Sequence, residues 1–175
     1  MTNTAQHVRK LDHVGIAVTD MAAAAALFAE VFGATLISGG DNDLTGIRLL
    51  QLACGGFKVE LMQSLRDDSL ISPRLASHGP GFHHMTFVVD DLIQTMADLS
   101  AAGVGTVGVN LASANWRECF LGPKQTFGTL LQLVDTVQRW DVPATDYTID
   151  DVLSGAVVWT DYIACLRSAV PSDQR

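Results

Sequence analysis

Two stretches of the chain repeat one pattern, and any fold must accommodate both copies. Leu11-Asp12-His13-Val14-Gly15-Ile16-Ala17-Val18-Thr19-Asp20 aligns with Phe82-His83-His84-Met85-Thr86-Phe87-Val88-Val89-Asp90-Asp91. Each copy is a strand-like run with a histidine near its start and an acidic end. A helix-like stretch follows each, Met21 to Phe32 and Leu92 to Ala102, and stops at Gly33 or Gly103. Asp20, and Asp90 or Asp91, stand where an N-cap belongs. Downstream, Lys58-Val59-Glu60-Leu61-Met62 matches Leu130-Leu131-Gln132-Leu133-Val134. His13 and Glu60 are 47 positions apart, and His84 and Gln132 are 48 apart. Four polar residues therefore hold equivalent places in two modules, about 10–63 and 81–135.

Each module reads as strand, helix and three strands. The last three fall near 34–38, 45–53 and 57–63 in one copy, and near 104–109, 116–121 and 128–135 in the other. This predicts an α+β fold of two βαβββ modules in a domain spanning residues 1–135. In the connection 64–80, Ser72-Pro73 signals a helix start and His78-Gly79-Pro80 a stop. Residues 136–175 form an extension outside the repeat. There Thr148-Ile149-Asp150-Asp151 is a capping sequence, and apolar residues at 149, 152, 153, 156 and 157 recur at helical spacing. The spacing predicts one amphipathic helix to about Arg167, packed on the domain or on a partner subunit.

Strand alternation puts His13 on a face with Gly15 and Ala17, opposite Val14, Ile16 and Val18. It puts His84 with Thr86, opposite His83, Met85, Phe87 and Val89. The bulky faces are expected to be the buried ones, packed on the helices. Glu60 shares a face with Lys58 and Met62. If the modules pair with pseudo-twofold symmetry, His13, Glu60, His84 and Gln132 converge in one concave cavity. Two imidazoles, a carboxylate and an amide oxygen suit a divalent ion such as Mn, Fe, Co, Ni or Zn. A lone strand histidine is ordinarily a core or surface residue, and Gln132 alone an ordinary hydrogen-bonding side chain. Their repeat-equivalent placement is what argues for ligation. His83 reads as structural, His7 as a tail residue and His78 as a loop residue. Cys119 reads as a small buried apolar residue and not a nucleophile. Arg48, Arg74, Arg117 and Lys124 read as solvated charges, each able to neutralise a carboxylate or phosphate.

Composition removes several function classes. Apolar residues make up 48% and charged residues 17%, enough apolar surface for a packed core. Nineteen acidic and eleven basic residues give a net charge of -8, with no basic run beyond Arg9-Lys10. That balance argues against a nucleic-acid partner, which needs clustered Lys and Arg. The three cysteines are far apart and form no CxxC pair, arguing against disulfides and a cysteine zinc site. The longest apolar stretch, Met21 to Ala29, is too short for a bilayer. A cytoplasmic protein with no membrane partner is expected.

The quoted segments, with Gly81 to Asp91 and with Pro123-Lys124 ahead of Gly128-Thr129-Leu130-Leu131-Gln132-Leu133, resemble the vicinal oxygen chelate superfamily. That superfamily includes glyoxalase I, extradiol dioxygenases and bleomycin-resistance proteins, and within it the likeness is greatest to methylmalonyl-CoA epimerases. The resemblance covers about 10–135. It implies paired βαβββ modules in a cupped mixed sheet around a metal, ligand positions at His13, Glu60, His84 and Gln132, and a homodimer. It implies an epimerase or isomerase that abstracts a proton alpha to an acyl-CoA carbonyl, of methylmalonyl-CoA type, with a metal stabilising enolate-like charge. The alternatives are another superfamily enzyme (a glyoxalase-type lyase, a dioxygenase or a tailoring enzyme) or a non-catalytic small-molecule-binding resistance protein.

Three positions depart from the epimerase pattern. The epimerases carry Glu where this chain has Gln132. They carry an acid on the strand matched by 47–52, which here reads Ile47-Arg48-Leu49-Leu50-Gln51-Leu52. They carry a histidine before Pro-Lys where this chain has Gly122. An amide oxygen can ligate but cannot take a proton. Glu60 is then the one carboxylate of the four, a ligand that could detach and act as the catalytic base.

Overall fold

The computed structural model describes residues 7–139 and 146–170. These residues form ten strands and four short α-helices, a mixed α+β fold. Both copies of the repeat have the predicted strand–helix–three-strand order. The chain divides into two compact units: residues up to Val14 with His83–Gln138, and Gly15–Phe82 with the chain from Arg139 onward. The extension therefore groups with the first repeat.

The unit containing the first repeat begins within β1, Val8–Val18. The Asp20 side chain then accepts from the Ala23 amide at 2.9 Å and starts α1, Met21–Ala26. The helix widens into a π-type turn over Leu27–Val31 and ends at Gly33, whose φ is +69°. Strands β2 (Thr35–Asn42), β3 (Ile47–Cys54) and β4 (Phe57–Ser64) form an antiparallel meander. Cys54 pairs with Phe57 across Gly55-Gly56. Both glycines have positive φ, +58° and +92°, which the tightest two-residue hairpin requires. One face of this meander supplies Leu50, Leu52, Val59 and Leu61 to a core that α1 closes with Met21 and Ala25.

After the connecting helix α2, Ser72–His78, the chain enters β5, Gly81–Val89. The unit containing the second repeat holds most of β5, then α3 (Leu92–Ala101), β6 (Val107–Asn110), β7 (Trp116–Leu121) and β8 (Leu130–Thr136). Asp91, the second of the two candidate caps, accepts from the Gln94 amide at 3.0 Å. Strand β8 runs parallel to β5 and antiparallel to β7. Val89, Leu92, Cys119, Leu121 and Leu133 form the core under α3.

The extension differs from its prediction. The Thr148–Asp151 capping box starts α4, but the helix covers only Ile149–Leu153. Gly155, at φ +77°, ends it. Val157–Thr160 and Ile163–Leu166 then form a hairpin, β9 and β10, and β9 joins β2 in parallel through Asp41 and Val158. Val157, Val158, Trp159 and Thr160 are β-branched or aromatic and favour the pleated surface. The helical spacing at 156 and 157 was the start of this strand. Residues 140–145 and 171–175 of the predicted extension lie outside the described residues. Arg48, expected to be solvated, is instead only 15% exposed. Its Nε and Nη2 donate to both Asp41 oxygens at 2.6 and 3.0 Å, and Nη1 donates to the Leu153 carbonyl at the end of α4.

The strand faces also differ from expectation in depth. On β1 the His13, Gly15 and Ala17 positions are buried, while Val14, Ile16 and Val18 are half-buried. On β5, His84, Thr86 and Val88 are buried, while His83, Met85 and Phe87 are half-buried and Val89 at the end of their face is buried in the α3 core. The polar face can go deeper because its groups are hydrogen-bonded. Among the described residues, no buried side-chain nitrogen or oxygen lacks a partner.

Candidate metal centre

The unit built on the second repeat brings three of the four predicted residues together. Its β5–β8–β7 register sets Thr86 and Phe120 on either side of Gln132, with Glu118 beside Val134. The α3 core takes the opposite face, with Cys119, Leu121 and Leu133. The polar face is left to His84, Thr86, Gln132, Glu118 and Trp116, and the His13 side chain joins it.

His13 is 2% exposed, and its Nδ1 lies 2.8 Å from Oδ2 of buried Asp12. A carboxylate accepts only, so Nδ1 carries a proton, and in the neutral ring Nε2 presents its lone pair. That Nε2 faces Nε2 of His84 at 3.1 Å. The rings meet edge-on, with centroids 5.2 Å apart, and the Trp116 ring stacks on His13 at 6.4 Å. On its other side, His84 Nδ1 lies 2.9 Å from His83 Nδ1. A proton on His84 Nε2 satisfies the pair without metal. Moving that proton to Nδ1, where His83 can accept it, points two lone pairs at one position.

These residues fit a divalent ion. At 3.1 Å apart, both nitrogens could reach one ion at an ordinary metal–nitrogen distance of about 2.1 Å. The Asp12–His13 contact is the partner a ligating imidazole usually has on its other nitrogen. Thr86, fully buried, donates its hydroxyl to Gln132 Oε1, and Oγ1 lies 2.9 Å from His13 Nε2. Gln132 Nε2 donates to Glu118 Oε2 at 2.6 Å, and the Trp116 indole N–H donates to the same oxygen at 2.8 Å.

Glu60 belongs to the other unit, on the face of β4 turned from the apolar core. It is 7% exposed and directly opposite Gln51, whose Nε2 donates to Glu60 Oε2 at 2.7 Å. The repeat did not single out Asp12, Gln51, Thr86, Trp116 or Glu118. Asp12 is legible beside His13, and Thr86 from its shared face with His84. Glu118 follows Arg117, and two adjacent charges leave the inward side of β7 undecided until register is known.

Cys119 is fully buried, as predicted. Burial, and then the Glu118 charge, push its thiol up to about 11. Iodoacetamide at pH 8 should therefore modify half-buried Cys54 and Cys165 while leaving Cys119 unlabelled until the protein is denatured. Peptide mass mapping checks this, and early labelling of Cys119 would contradict it.

The chain belongs to the glyoxalase/bleomycin resistance protein/dioxygenase superfamily, which it matches over residues 12–120. Its relatives narrow the comparison. It is 29% identical over 130 residues to the ethylmalonyl-CoA/methylmalonyl-CoA epimerase of Cereibacter sphaeroides, covering 72% of this chain and 97% of that protein. It is 28% identical over 136 residues to the human mitochondrial methylmalonyl-CoA epimerase, covering 76% and 77%. The crystal structure of the Mycobacterium tuberculosis methylmalonyl-CoA epimerase superposes with a TM-score of 0.69 at 34% identity, over 76% of this chain and 91% of that one. Among the described residues, no helix is long and apolar enough to cross a membrane.

Proposed function

We propose that the protein is a metal-dependent epimerase or isomerase that removes and returns a proton alpha to an acyl-CoA thioester of methylmalonyl type. The opposed Nε2 atoms of His13 and His84 carry this reading, because Asp12 and His83 hold the far side of each ring. The family and the epimerase relatives support the substrate class. In this reading His13, His84, Glu60 and the Gln132 amide oxygen hold the ion. A bound divalent ion supplies Lewis-acid stabilisation of negative charge developing on the thioester oxygen. Glu60, detached from the ion, takes the alpha proton, since Gln132 cannot accept one, and inversion requires a second group to return a proton to the opposite face. Gln51 orients the Glu60 carboxylate through its amide N–H. The same reading takes the protein as a cytoplasmic homodimer.

The test is solvent exchange. Protein loaded with Co or Mn is incubated with methylmalonyl-CoA in deuterated water, and the alpha proton is followed by NMR. Protein-dependent loss of the signal is expected, with Glu60→Gln slowed at least about 100-fold, the scale of general-base catalysis. No exchange by metal-loaded wild type would remove the epimerase reading. Full-rate exchange by Glu60→Gln would remove Glu60 as the base.

A further inference from the structure

The Gln132 amide has two different ends, and only one can ligate a cation. Its oxygen can donate a lone pair, whereas its NH2 group would turn hydrogens toward the ion. A free side-chain amide presents either end. Here Glu118 decides between them. Its Oε2 lies 2.6 Å from one end of the amide, and a carboxylate oxygen only accepts, so that end is the NH2. The oxygen is thereby turned to the other side, where it accepts from Thr86, which in turn contacts His13. Glu118 is itself anchored, since the indole N–H of Trp116 donates to the same Oε2 at 2.8 Å. The Trp116 ring also stacks on His13, so one residue braces both the carboxylate and a ligand imidazole. Glu118 sits diagonally from Gln132 on the neighbouring strand, within reach across the sheet.

We propose that Glu118 is the positioning residue of the metal centre: held by Trp116, it captures the Gln132 amide nitrogen and turns Oε1 to the side of Thr86, next to His13, where it can ligate. This rests on the metal reading above and explains how an amide can serve there. A neutral ligand gains a fixed direction from a charged neighbour that does not itself ligate.

Two readouts on the full-length protein test it, neither depending on turnover. In the metal-free protein, the Gln132 side-chain NH2 resonances, assigned by their loss in Gln132→Leu, are expected to be shifted by the charge-assisted bond and protected from solvent exchange. Glu118→Ala should abolish both signatures, whereas Glu118→Gln, which keeps an acceptor oxygen, should retain most of the protection. In the second readout, Co2+ is titrated calorimetrically and by visible absorption. Glu118→Ala is expected to weaken binding about 10–100-fold and to alter the spectrum, with Glu118→Gln nearer wild type. Should Glu118→Ala not fold, Trp116→Phe removes the anchoring donor and should give a smaller change of the same sign. Unchanged NH2 resonances and unchanged Co2+ affinity in Glu118→Ala would overturn the role. So would a Glu118→Gln loss equal to that of Glu118→Ala. Wild type that binds no Co2+ would overturn the metal reading, and the positioning role with it, even with the amide contact intact.

Discussion

Replacing His84 by alanine is expected to remove metal from the purified protein and to slow alpha-proton exchange by roughly 10^3-fold, the several kcal/mol that a Lewis acid supplies. The reason lies in the 3.1 Å facing of His13 and His84 Nε2, which leaves one position shared by two nitrogens. With one imidazole gone, the position keeps a single nitrogen. Stability should respond differently from function. Removing the buried His84 ring leaves a cavity and takes a partner from His13 and His83, so the metal-free variant should melt below metal-free wild type by several degrees, a cost of about 2 kcal/mol. Wild type with the ion at about 100 times its Kd should gain about 2.7 kcal/mol, or about 5–10 °C for a chain of this size. The variant should gain nothing. Elemental analysis and paired melting curves with and without Co2+ decide the matter. Stoichiometric metal in His84→Ala would refute it.

The largest stability effect is expected at Leu61. Leu61 is fully buried and lies directly opposite Leu50, which is also fully buried. Both face the core closed by Met21 and Ala25 of α1 and by Val152 and Val157 of the extension. Alanine there removes three carbons from the centre of that packing. Neighbours held in a paired sheet can collapse only partly into the space. The expected cost is about 3 kcal/mol, which lowers the melting temperature by about 6–12 °C. Urea unfolding should show a lower midpoint with an unchanged slope. The carboxylate of adjacent Glu60 faces the other way, so Leu61→Ala should lose stability while its folded fraction keeps full exchange activity. A variant as stable as wild type would mean that the core is not packed as described.

Glu60 and Leu61 also show how much of the fold is local to the sequence. Alternation along β4 is strictly two-residue, so one face had to carry Glu60 with Met62 and the other Val59 with Leu61. The helix start at Asp20 was equally readable, and the second was narrowed to Asp90 or Asp91, because a cap is a contact among near neighbours. The extension was misread because Gly155 and the β-branched run after it compete with helical spacing, and only pairing with β2 decides for a strand.

Local chemistry and the internal repeat thus determined the order of elements in both repeats, the division of their strands into faces, and His13, Glu60, His84 and Gln132 as candidates. A short segment carries its own alternation and caps, and a duplicated segment carries its equivalences. Tertiary structure alone decided that Glu118 holds the Gln132 amide, that Thr86 donates to Gln132 beside His13, and that Arg48 is half-buried against Asp41. Those contacts depend on which residue of one strand stands beside which residue of another. That register is set by the packing of the assembled sheet, and no window of sequence contains it.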